Sequence, residues 1–139
     1  MKLIALTLAI ILVSVTAQAA ELSGTVSRIR DGDTVVIEGI PIRLKGVSAP
    51  EMKEHLGKES KAFMVKLVMG QRLRCDLDGS RSHDRLVGTC YLGDRDIGAE
   101  VIKAGLALDC PRFSGGRYAA METAVAKFAI KLPGYCRPK

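Results

Sequence analysis

Residues 31–51 read DGDTVVIEGIPIRLKGVSAPE, and this stretch predicts the centre of a small β-sheet. The β-branched run at residues 34–37 and the alternating run at residues 40–47 are typical of two strands. Between them, Glu38-Gly39 has the composition of a two-residue hairpin turn. Ala49-Pro50 ends the second strand, because proline cannot donate a hydrogen bond to a neighbouring strand.

The rest of the chain adds one strand before this stretch, a second hairpin and three helices. Val26 and Ile29 belong to the first strand, and residues 72–77 and 86–92 form the later hairpin around a polar loop. The spacing of apolar residues predicts helices over residues 57–69 and 97–107 and a third helix after a loop at 110–117, with its apolar positions at Met121, Ala124, Val125, Phe128 and Leu132. Five short strands with one helix after the third predict an α+β, mainly β fold, namely a five-stranded OB-fold Greek-key barrel with three helices.

The first 19 residues predict a signal peptide, which leaves residues 20–139 as a single domain. A lysine precedes an apolar run over residues 3–15, and Ala17-Gln18-Ala19 matches the A-x-A pattern of a signal peptidase site. The run is shorter than the ~20 apolar residues that a membrane span needs. We therefore expect a secreted or periplasmic protein with no membrane span after cleavage; an uncleaved N-terminal anchor is the alternative.

The charge of the chain favours an anionic partner. The formal net charge is +6, and removal of residues 1–19 takes away one lysine, which leaves 20 basic and 15 acidic residues, a balance of +5. Nucleic acid, anionic lipid and acidic polysaccharide fit such a surface, although the same charge is compatible with solubility alone. With three Tyr, three Phe and no Trp, an extensive base-stacking surface is not expected.

All four cysteines follow the predicted signal peptide, which indicates two disulfides in an oxidising compartment. Cys75 and Cys90 flank the polar hairpin loop, so antiparallel pairing would bring them opposite each other. Cys110 follows the second predicted helix and Cys136 lies in the tail, so a second bridge would hold the tail against the domain. No C-x-x-C pair is present, which makes zinc the weaker alternative.

Five polar residues belong to the predicted strands or to their ends. Arg43 lies within the second strand of the opening stretch, and the others stand where strands begin or end, namely Asp31, Asp33, Glu51 and Arg85. Carboxylates bind hard cations through oxygen, and arginine forks match the oxygens of a phosphate. A glutamate beside a phosphate can take a proton from water. The set together predicts phosphodiester hydrolysis, whereas each member alone has an ordinary explanation, such as a turn for Asp-Gly-Asp or an outward-facing strand position for Arg43.

The segments DGDTVVI…IRLKGVSAPE and DRLVGTCYLGDRDIGAEVIKAGLA resemble the micrococcal nuclease (thermonuclease-like) family, and the resemblance covers about residues 22–132. It implies an OB barrel with three helices that hydrolyses DNA and RNA with Ca²⁺ and leaves 3′-phosphates. It also implies that Arg43 and Arg85 bind the phosphate and that Glu51 is the general base or orients the water. By the same resemblance Asp33 is a calcium ligand and Asp31 is the neighbouring acidic position.

The sequence departs from the pattern of that family in three places. Ser48 stands where the family has a second calcium-binding aspartate, so it would offer a neutral oxygen and Ca²⁺ would be weakly held. His83-Asp84 replaces a Tyr-Gly pair before the second arginine. The substrate-contacting tyrosines of some members fall near Pro111 and Phe113, so Phe113 and His83 are the residues that we expect to contact the substrate.

We therefore expect a monomeric, secreted or periplasmic nuclease that acts on DNA, RNA or both. One alternative is an exported OB-fold module that binds nucleic acid without cleaving it. The presence of Glu51 argues against that alternative, because a carboxylate repels the phosphate that such a module would bind. The other alternative is an exported structural or inhibitory domain, in which Arg43 and Arg85 would pair with acidic side chains.

Overall fold

A computed structural model of the chain describes residues 20–139. The strands are β1 (Glu21–Asp31), β2 (Thr34–Ile37), β3 (Ile40–Leu44), β4 (Val47–Ser48), β5 (Arg72–Ser82), β6 (Arg85–Leu92), β7 (Arg95–Asp96) and β8 (Leu108–Asp109). The helices are α1 (Gly57–Val68), α2 (Ile97–Lys103), α3 (Pro111–Ser114) and α4 (Ala124–Ala129), with 3₁₀ turns at Ala119–Met121 and Gly134–Cys136.

The signal peptide expected at residues 1–19 lies outside the described residues. Between residues 20 and 139, none of the helices combines the length and the apolar character that crossing a membrane requires.

Five strands close into a barrel, as the sequence predicted. The large sheet has the order β3-β2-β1-β5-β6-β7, and a parallel pairing of β3 with β6 joins its two sides. The closed set is therefore β1, β2, β3, β5 and β6, and α1 follows the third of these strands. Pro41 lies opposite Val36 of β2, one residue before the pairing with β6 begins at Ile42. This is an edge position, where the missing N–H is tolerated.

The hairpin in the opening stretch positions the barrel core. Glu38 and Gly39 have φ values of 48° and 86°, the left-handed pair that a tight hairpin turn requires. All four residues of β2 are buried, and Ile42 and Leu44 of β3 are buried on the same side. Because side chains alternate along a strand, Arg43 must face away from that core.

Helix α1 packs against β1 and brings Met64 and Val68 into the core. Burial of an apolar side chain of this size contributes ~1.5–3 kcal/mol. Gly32, between the two aspartates of the opening stretch, lies directly under this helix. A Cβ atom at Gly32 would overlap the hydroxyl of Ser60 and the methyl group of Ala49. The glycine of Asp-Gly-Asp is therefore required by the close approach of α1.

The three predicted helices are present as α1, α2 and α4, but the bounds of α2 and α4 and the buried face of α4 differ from the prediction. Helix α2 ends at Lys103, four residues earlier than predicted, and the segment predicted as a loop contains the single turn α3. The third helix covers only α4, and its predicted apolar face was wrong. Val125 and Phe128 are 73% and 95% exposed, whereas Ala126 and Ile130 are buried. The small side chain of Ala126 lets the helix approach Leu108 closely, and this packing selects the opposite face.

Both predicted disulfides are confirmed by the structure. Cys75 of β5 lies directly opposite Cys90 of β6, and the two form a disulfide. Cys110 and Cys136 form the second disulfide, which joins the start of α3 to the final 3₁₀ turn. The second bridge spans 26 residues of sequence and holds the C-terminal tail against the domain.

Candidate active site

A cleft of about 530 Å³ opens between the β3–β4 turn, the β5–β6 hairpin, α3 and the C-terminal tail. The structure brings together in it five of the residues singled out from the sequence, namely Arg43, Glu51, His83, Arg85 and Phe113. Asp31, Asp33 and Ser48 do not line the cleft. Asp33 and Ser48 are buried beneath the surface, with 6% and 3% exposure.

Arg43 sits in the barrel wall between β2 and β6. It is paired with Thr34 on one side and with Val87 on the other. Its Nη1 donates to the carbonyl oxygens of Leu44 (3.0 Å) and Val47 (2.6 Å), and its Nη2 lies 3.2 Å from Oδ2 of Asp33. A guanidinium has five N–H donors, so Nε–H and one Nη2–H have no partner within residues 20–139. These two adjacent donors can grip two oxygens of one phosphate.

Arg85 begins β6 and is held in a comparable way. Its Nε and Nη2 donate to the carbonyl (3.1 Å) and hydroxyl (2.9 Å) of Ser82, and its Nη1 donates to the hydroxyl of Thr34 (3.0 Å). One hydrogen on each terminal nitrogen is left without a partner in the described part of the chain. Arg85 therefore also presents a pair of donors of the kind that binds phosphate.

Two hydrogen bonds and an ion pair through buried side chains connect the two arginines. The hydroxyl of Thr34 accepts from Arg85 and donates to Oδ1 of Asp33 (3.2 Å), while Oδ2 of Asp33 faces Arg43. The same Oδ2 accepts the backbone N–H of Ala49 (2.8 Å). Burial raises the pKa of Asp33 above its ordinary value, and the Arg43 guanidinium opposes part of that rise. Asp33 and Thr34 thus orient both guanidinium groups with respect to each other.

These residues do not fit a tight calcium site as they are arranged. Ca²⁺ takes six to eight oxygen ligands, roughly, and favours several carboxylates. Both oxygens of Asp33 already face protein donors, and Oδ1 of Asp31 accepts the backbone N–H of Asp33 (3.0 Å). Ser48 contributes a neutral hydroxyl. Within residues 20–139, no three His, Cys, Asp or Glu side chains are grouped so that they could hold a metal ion.

Glu51 lines the cleft, whereas Asp33 is buried beneath it. Its backbone N–H donates to Oε2 of Glu54 (2.8 Å), which holds the segment between β4 and α1 in place. Its side chain is exposed, and no side chain among residues 20–139 forms a salt bridge or hydrogen bond with its carboxylate. A carboxylate that has no side-chain partner among residues 20–139 and shares a cleft with Arg43 and Arg85 is available to take a proton from water.

The tip of the β5–β6 hairpin forms another side of the cleft. His83 has a φ of 58° at this tip and lines the cleft. Asp84 forms a two-pronged contact with Arg30 of β1, with nitrogen–oxygen distances of 3.0 and 2.7 Å. The Arg30 guanidinium lowers the pKa of Asp84. The His83-Asp84 pair that departs from the family pattern therefore anchors the hairpin tip to the neighbouring strand and puts His83 at the cleft.

Three contributors to the cleft were missed from the sequence. Lys45 and Arg81 add positive charge, so the lining carries four Lys or Arg side chains and two acidic ones, Glu51 and Asp78. Tyr135 enters from the C-terminal tail. Alternation along the predicted strand 40–47 does put Lys45 on the same side as Arg43, although Lys45 was not singled out as a site residue, and no local pattern connects Tyr135 to this site. By contrast, Tyr118 is buried and donates its hydroxyl to Asp96 (2.9 Å), away from the cleft.

Comparisons with known proteins show which family the chain belongs to. The family model described as "Staphylococcal nuclease homologue" matches residues 41–127. The chain is 32% identical over 127 residues to "Succinoglycan biosynthesis protein ExoI" of Rhizobium meliloti, which covers 83% of this chain and 66% of that protein. It is 30% identical to "Probable endonuclease LCL3" of Phaeosphaeria nodorum, over 71% of this chain and 38% of the relative.

An "Uncharacterized endonuclease" of Haemophilus influenzae is 29% identical over 94 residues, or 64% of this chain and 53% of that protein. The chain thus spans less than two thirds of the length of each of these relatives. The family model covers more than half of the chain, including β3, the turn before Glu51 and the hairpin that carries Arg85. The chain belongs to the staphylococcal nuclease homologue family.

Proposed function

We propose that this protein is a nuclease that hydrolyses phosphodiester bonds of DNA, RNA or both and leaves 3′-phosphates. The observation that carries the proposal is the pair of part-buried guanidinium groups in one cleft with the carboxylate of Glu51. Each guanidinium keeps two donors that have no partner within residues 20–139. Family membership and the positive lining of the cleft support a nucleic-acid substrate.

In the proposed mechanism a water molecule attacks phosphorus, and Glu51 positions it and takes its proton. A bond forms between phosphorus and the water oxygen, and the bond to the 5′-oxygen breaks. The phosphate stays on the 3′-oxygen, and the other fragment leaves with a 5′-hydroxyl once that oxygen is protonated. Arg43 and Arg85 stabilise the charge that develops on the phosphoryl oxygens, and a well-placed group of this kind contributes ~3–4 kcal/mol.

Hydrogen bonds to the protein orient both guanidinium groups in advance, which would make them efficient at stabilising this charge. Arg43 is tied to two backbone carbonyls, and Arg85 to both the carbonyl and the hydroxyl of Ser82. Donors that are already oriented need no reorganisation when the charge develops. Replacement by lysine would keep the charge and lose the two-pronged grip.

We infer that the dependence on Ca²⁺ is weaker than the family resemblance implies. Asp33, Ser48 and Asp31 are the residues that would hold the ion, which would shield the negative charge of the phosphate. The engagement of Asp33 by Arg43 and the neutral hydroxyl at Ser48 both work against tight binding. The arginines would then carry most of the charge stabilisation.

We further propose that the protein works as a monomer outside the cytoplasm, in the periplasm or the medium. The two disulfides support this location, because such bonds persist in oxidising compartments. The apolar segment at residues 3–15 and the Ala-Gln-Ala sequence at residues 17–19 support export.

The proposal is tested by incubating the purified protein with end-labelled single-stranded DNA and RNA in Ca²⁺, Mg²⁺ or EDTA. We expect cleavage products whose mobility changes after phosphatase treatment, as 3′-phosphate ends require. Glu51→Gln should lower the rate by ~10²-fold or more. Glu59→Gln, at an exposed position of α1 outside the cleft, is the matched control and should cleave like the parent.

The same experiment distinguishes the alternatives. Retained binding of the labelled strand without any cleavage would overturn the nuclease and favour an OB-fold binding module. Absence of both binding and cleavage would favour a structural or inhibitory domain. Cleavage that is equally fast in the Glu51→Gln variant would support the nuclease activity but show that Glu51 is not the general base.

A further inference from the structure

We propose that Tyr135, in the C-terminal tail, stacks on a nucleobase of the substrate and that the Cys110–Cys136 disulfide holds it in position to do so. This inference rests on the proposed nucleic-acid substrate and names a binding residue outside residues 41–127, the part of the chain that the family model matches.

The three tyrosines of the chain have different environments. Tyr118 is buried and hydrogen-bonded to Asp96, and the hydroxyl of Tyr91 accepts from Arg117 (3.1 Å). Tyr135 is 54% exposed and lines the cleft that holds the two arginines. Its ring is therefore accessible to a ligand, whereas the other two tyrosines are engaged within the domain.

Phe113 provides a second accessible ring in the same cleft. It is 48% exposed, and the guanidinium of Arg112 lies 5.5 Å from the centre of its ring. Helix α3, which carries Phe113, contacts the 3₁₀ turn that carries Tyr135. Two aromatic rings next to a phosphate-binding pair of arginines match the way in which proteins hold single-stranded nucleic acid, with bases on rings and phosphates on cations.

The position of Tyr135 is tied to Arg43 through a short series of contacts. Cys136, the residue after Tyr135, is bonded to Cys110, and the backbone N–H of Cys110 donates to the carbonyl of Gly46 (2.9 Å). A Cβ atom at Gly46 would overlap Ser114, so α3 rests directly on the turn after β3. The residues on either side of that turn, Leu44 and Val47, supply the carbonyl oxygens that hold Arg43. The disulfide therefore fixes the distance between a stacking ring and a phosphate-binding group.

Without the disulfide, the tail would lose this alignment. Between α4 and the last 3₁₀ turn the structure has no helix or strand. Irregular segments of this kind are more mobile than helices and strands unless other contacts hold them in place. Removal of the bridge should thus act on substrate binding in the same way as removal of the Tyr135 ring.

The test measures binding without turnover, in a Glu51→Gln background, by fluorescence anisotropy of two labelled probes. One probe is a hexamer of thymidine, and the other has the same six sugar-phosphate units without bases. Tyr135→Ala should weaken binding of the thymidine strand by about tenfold, or ~1.4 kcal/mol, within the range of base stacking on one ring. The strand without bases should change by less than about twofold, because its phosphate contacts are unaffected.

Three further variants make the test specific. Tyr135→Phe keeps the ring and should bind like the parent. Phe128→Ala removes a more exposed ring that does not line the cleft, and it should also bind like the parent. In a Cys110→Ser, Cys136→Ser protein, binding should fall by a similar factor, and Tyr135→Ala should then cause little further loss.

The outcomes separate this inference from the proposed function. If Tyr135→Ala binds the thymidine strand like the parent, or weakens both probes equally, the stacking role is wrong even if the parent cleaves nucleic acid. If binding of the thymidine strand depends on Tyr135 but the protein with Glu51 intact does not cleave nucleic acid, the stacking role is supported and the proposed nuclease activity is overturned. If the parent binds neither probe and the protein with Glu51 intact does not cleave nucleic acid, both proposals are overturned.

Discussion

The two sides of the cleft are positioned by different kinds of interaction. On the barrel side, strand pairing places Arg43 opposite Thr34 and next to Val87, so its location follows from hydrogen-bonded register. On the opposite side, Tyr135 belongs to a tail that is held by a disulfide. A register is specified at every residue along two strands, whereas a tether acts at one point. We therefore expect that substitutions on the barrel side, which carries the residues proposed for catalysis, strongly reduce turnover, and that substitutions on the tail side change affinity more than turnover.

The largest expected effect is on the barrel side. Arg43→Ala and Arg85→Ala should each lower kcat by ~10²- to 10³-fold without unfolding the domain, because each removes donors aimed at the phosphate. Arg43→Lys and Arg85→Lys should also be slow, since an ammonium cannot replace the fork. Single-turnover rates with circular dichroism as the check on folding would measure this. Near-parental turnover in all of these variants would show that the arginines are not part of the site.

The next effect is on the tail side and concerns stability. Cys110→Ser with Cys136→Ser should lower the free energy of unfolding by ~3 kcal/mol, because the bridge closes a loop of 26 residues in the unfolded chain. Urea unfolding at equilibrium measures it. The rate of the chemical step at saturating substrate should change far less than in the arginine variants. A loss of kcat as large as that of Arg43→Ala would contradict the division between the two sides.

A third prediction concerns Ser48, beneath the barrel side. A unit charge pair at 4 Å and an effective dielectric of 20 interacts by ~4 kcal/mol, and desolvation offsets part of this. Ser48→Asp should therefore tighten Ca²⁺ binding by ~100-fold and raise activity at low Ca²⁺. Ser48→Asn is the uncharged control of matched size. Calcium titrations of the cleavage rate that overlap for the serine and aspartate proteins would mean that residue 48 does not face the metal.

A smaller effect on kcat should test whether the contacts through Thr34 and Asp33 position the two arginines relative to each other. Thr34→Val keeps the shape of this buried residue and removes the hydroxyl that joins Arg85 to Asp33. The lost hydrogen bonds should lower kcat by up to about tenfold, since one such bond contributes ~0.5–1.5 kcal/mol. KM and kcat measured separately would test it. An unchanged kcat in a correctly folded Thr34→Val protein would mean that the two guanidinium groups are positioned independently.

The smallest expected effect lies on the exposed face of α4. Phe128→Ala should change the free energy of unfolding by less than ~0.5 kcal/mol, because the ring is 95% exposed and makes no core contact. Leu108→Ala, in the cluster that α4 covers, should cost ~2–5 kcal/mol. Thermal unfolding of the two variants compares them directly. A large loss for Phe128→Ala would restore the apolar face that the spacing of residues 121–132 predicted.

The sequence alone determined the barrel and the residues most suited to the chemistry. Alternation in β3 directs Ile42 and Leu44 inward and Arg43 outward, and a glycine after Glu38 makes the hairpin turn possible. Cysteines placed around a hairpin loop were enough to predict one disulfide. These features are local, because a period of two residues or a turn of two residues is written in neighbouring positions.

Only the tertiary structure decided how those residues work together. The contact between Arg85 and Thr34 joins residues 51 positions apart and exists because the barrel closes. Asp33, expected from the family resemblance as a calcium ligand, is a buried partner of Arg43. Helix α4 has only six residues, so packing against Leu108 decides which face is buried, whatever the spacing of its apolar residues. Tyr135 is held at the cleft by the disulfide of the neighbouring Cys136. Closure, burial and cross-linking depend on residues far apart in sequence, so no local pattern records them.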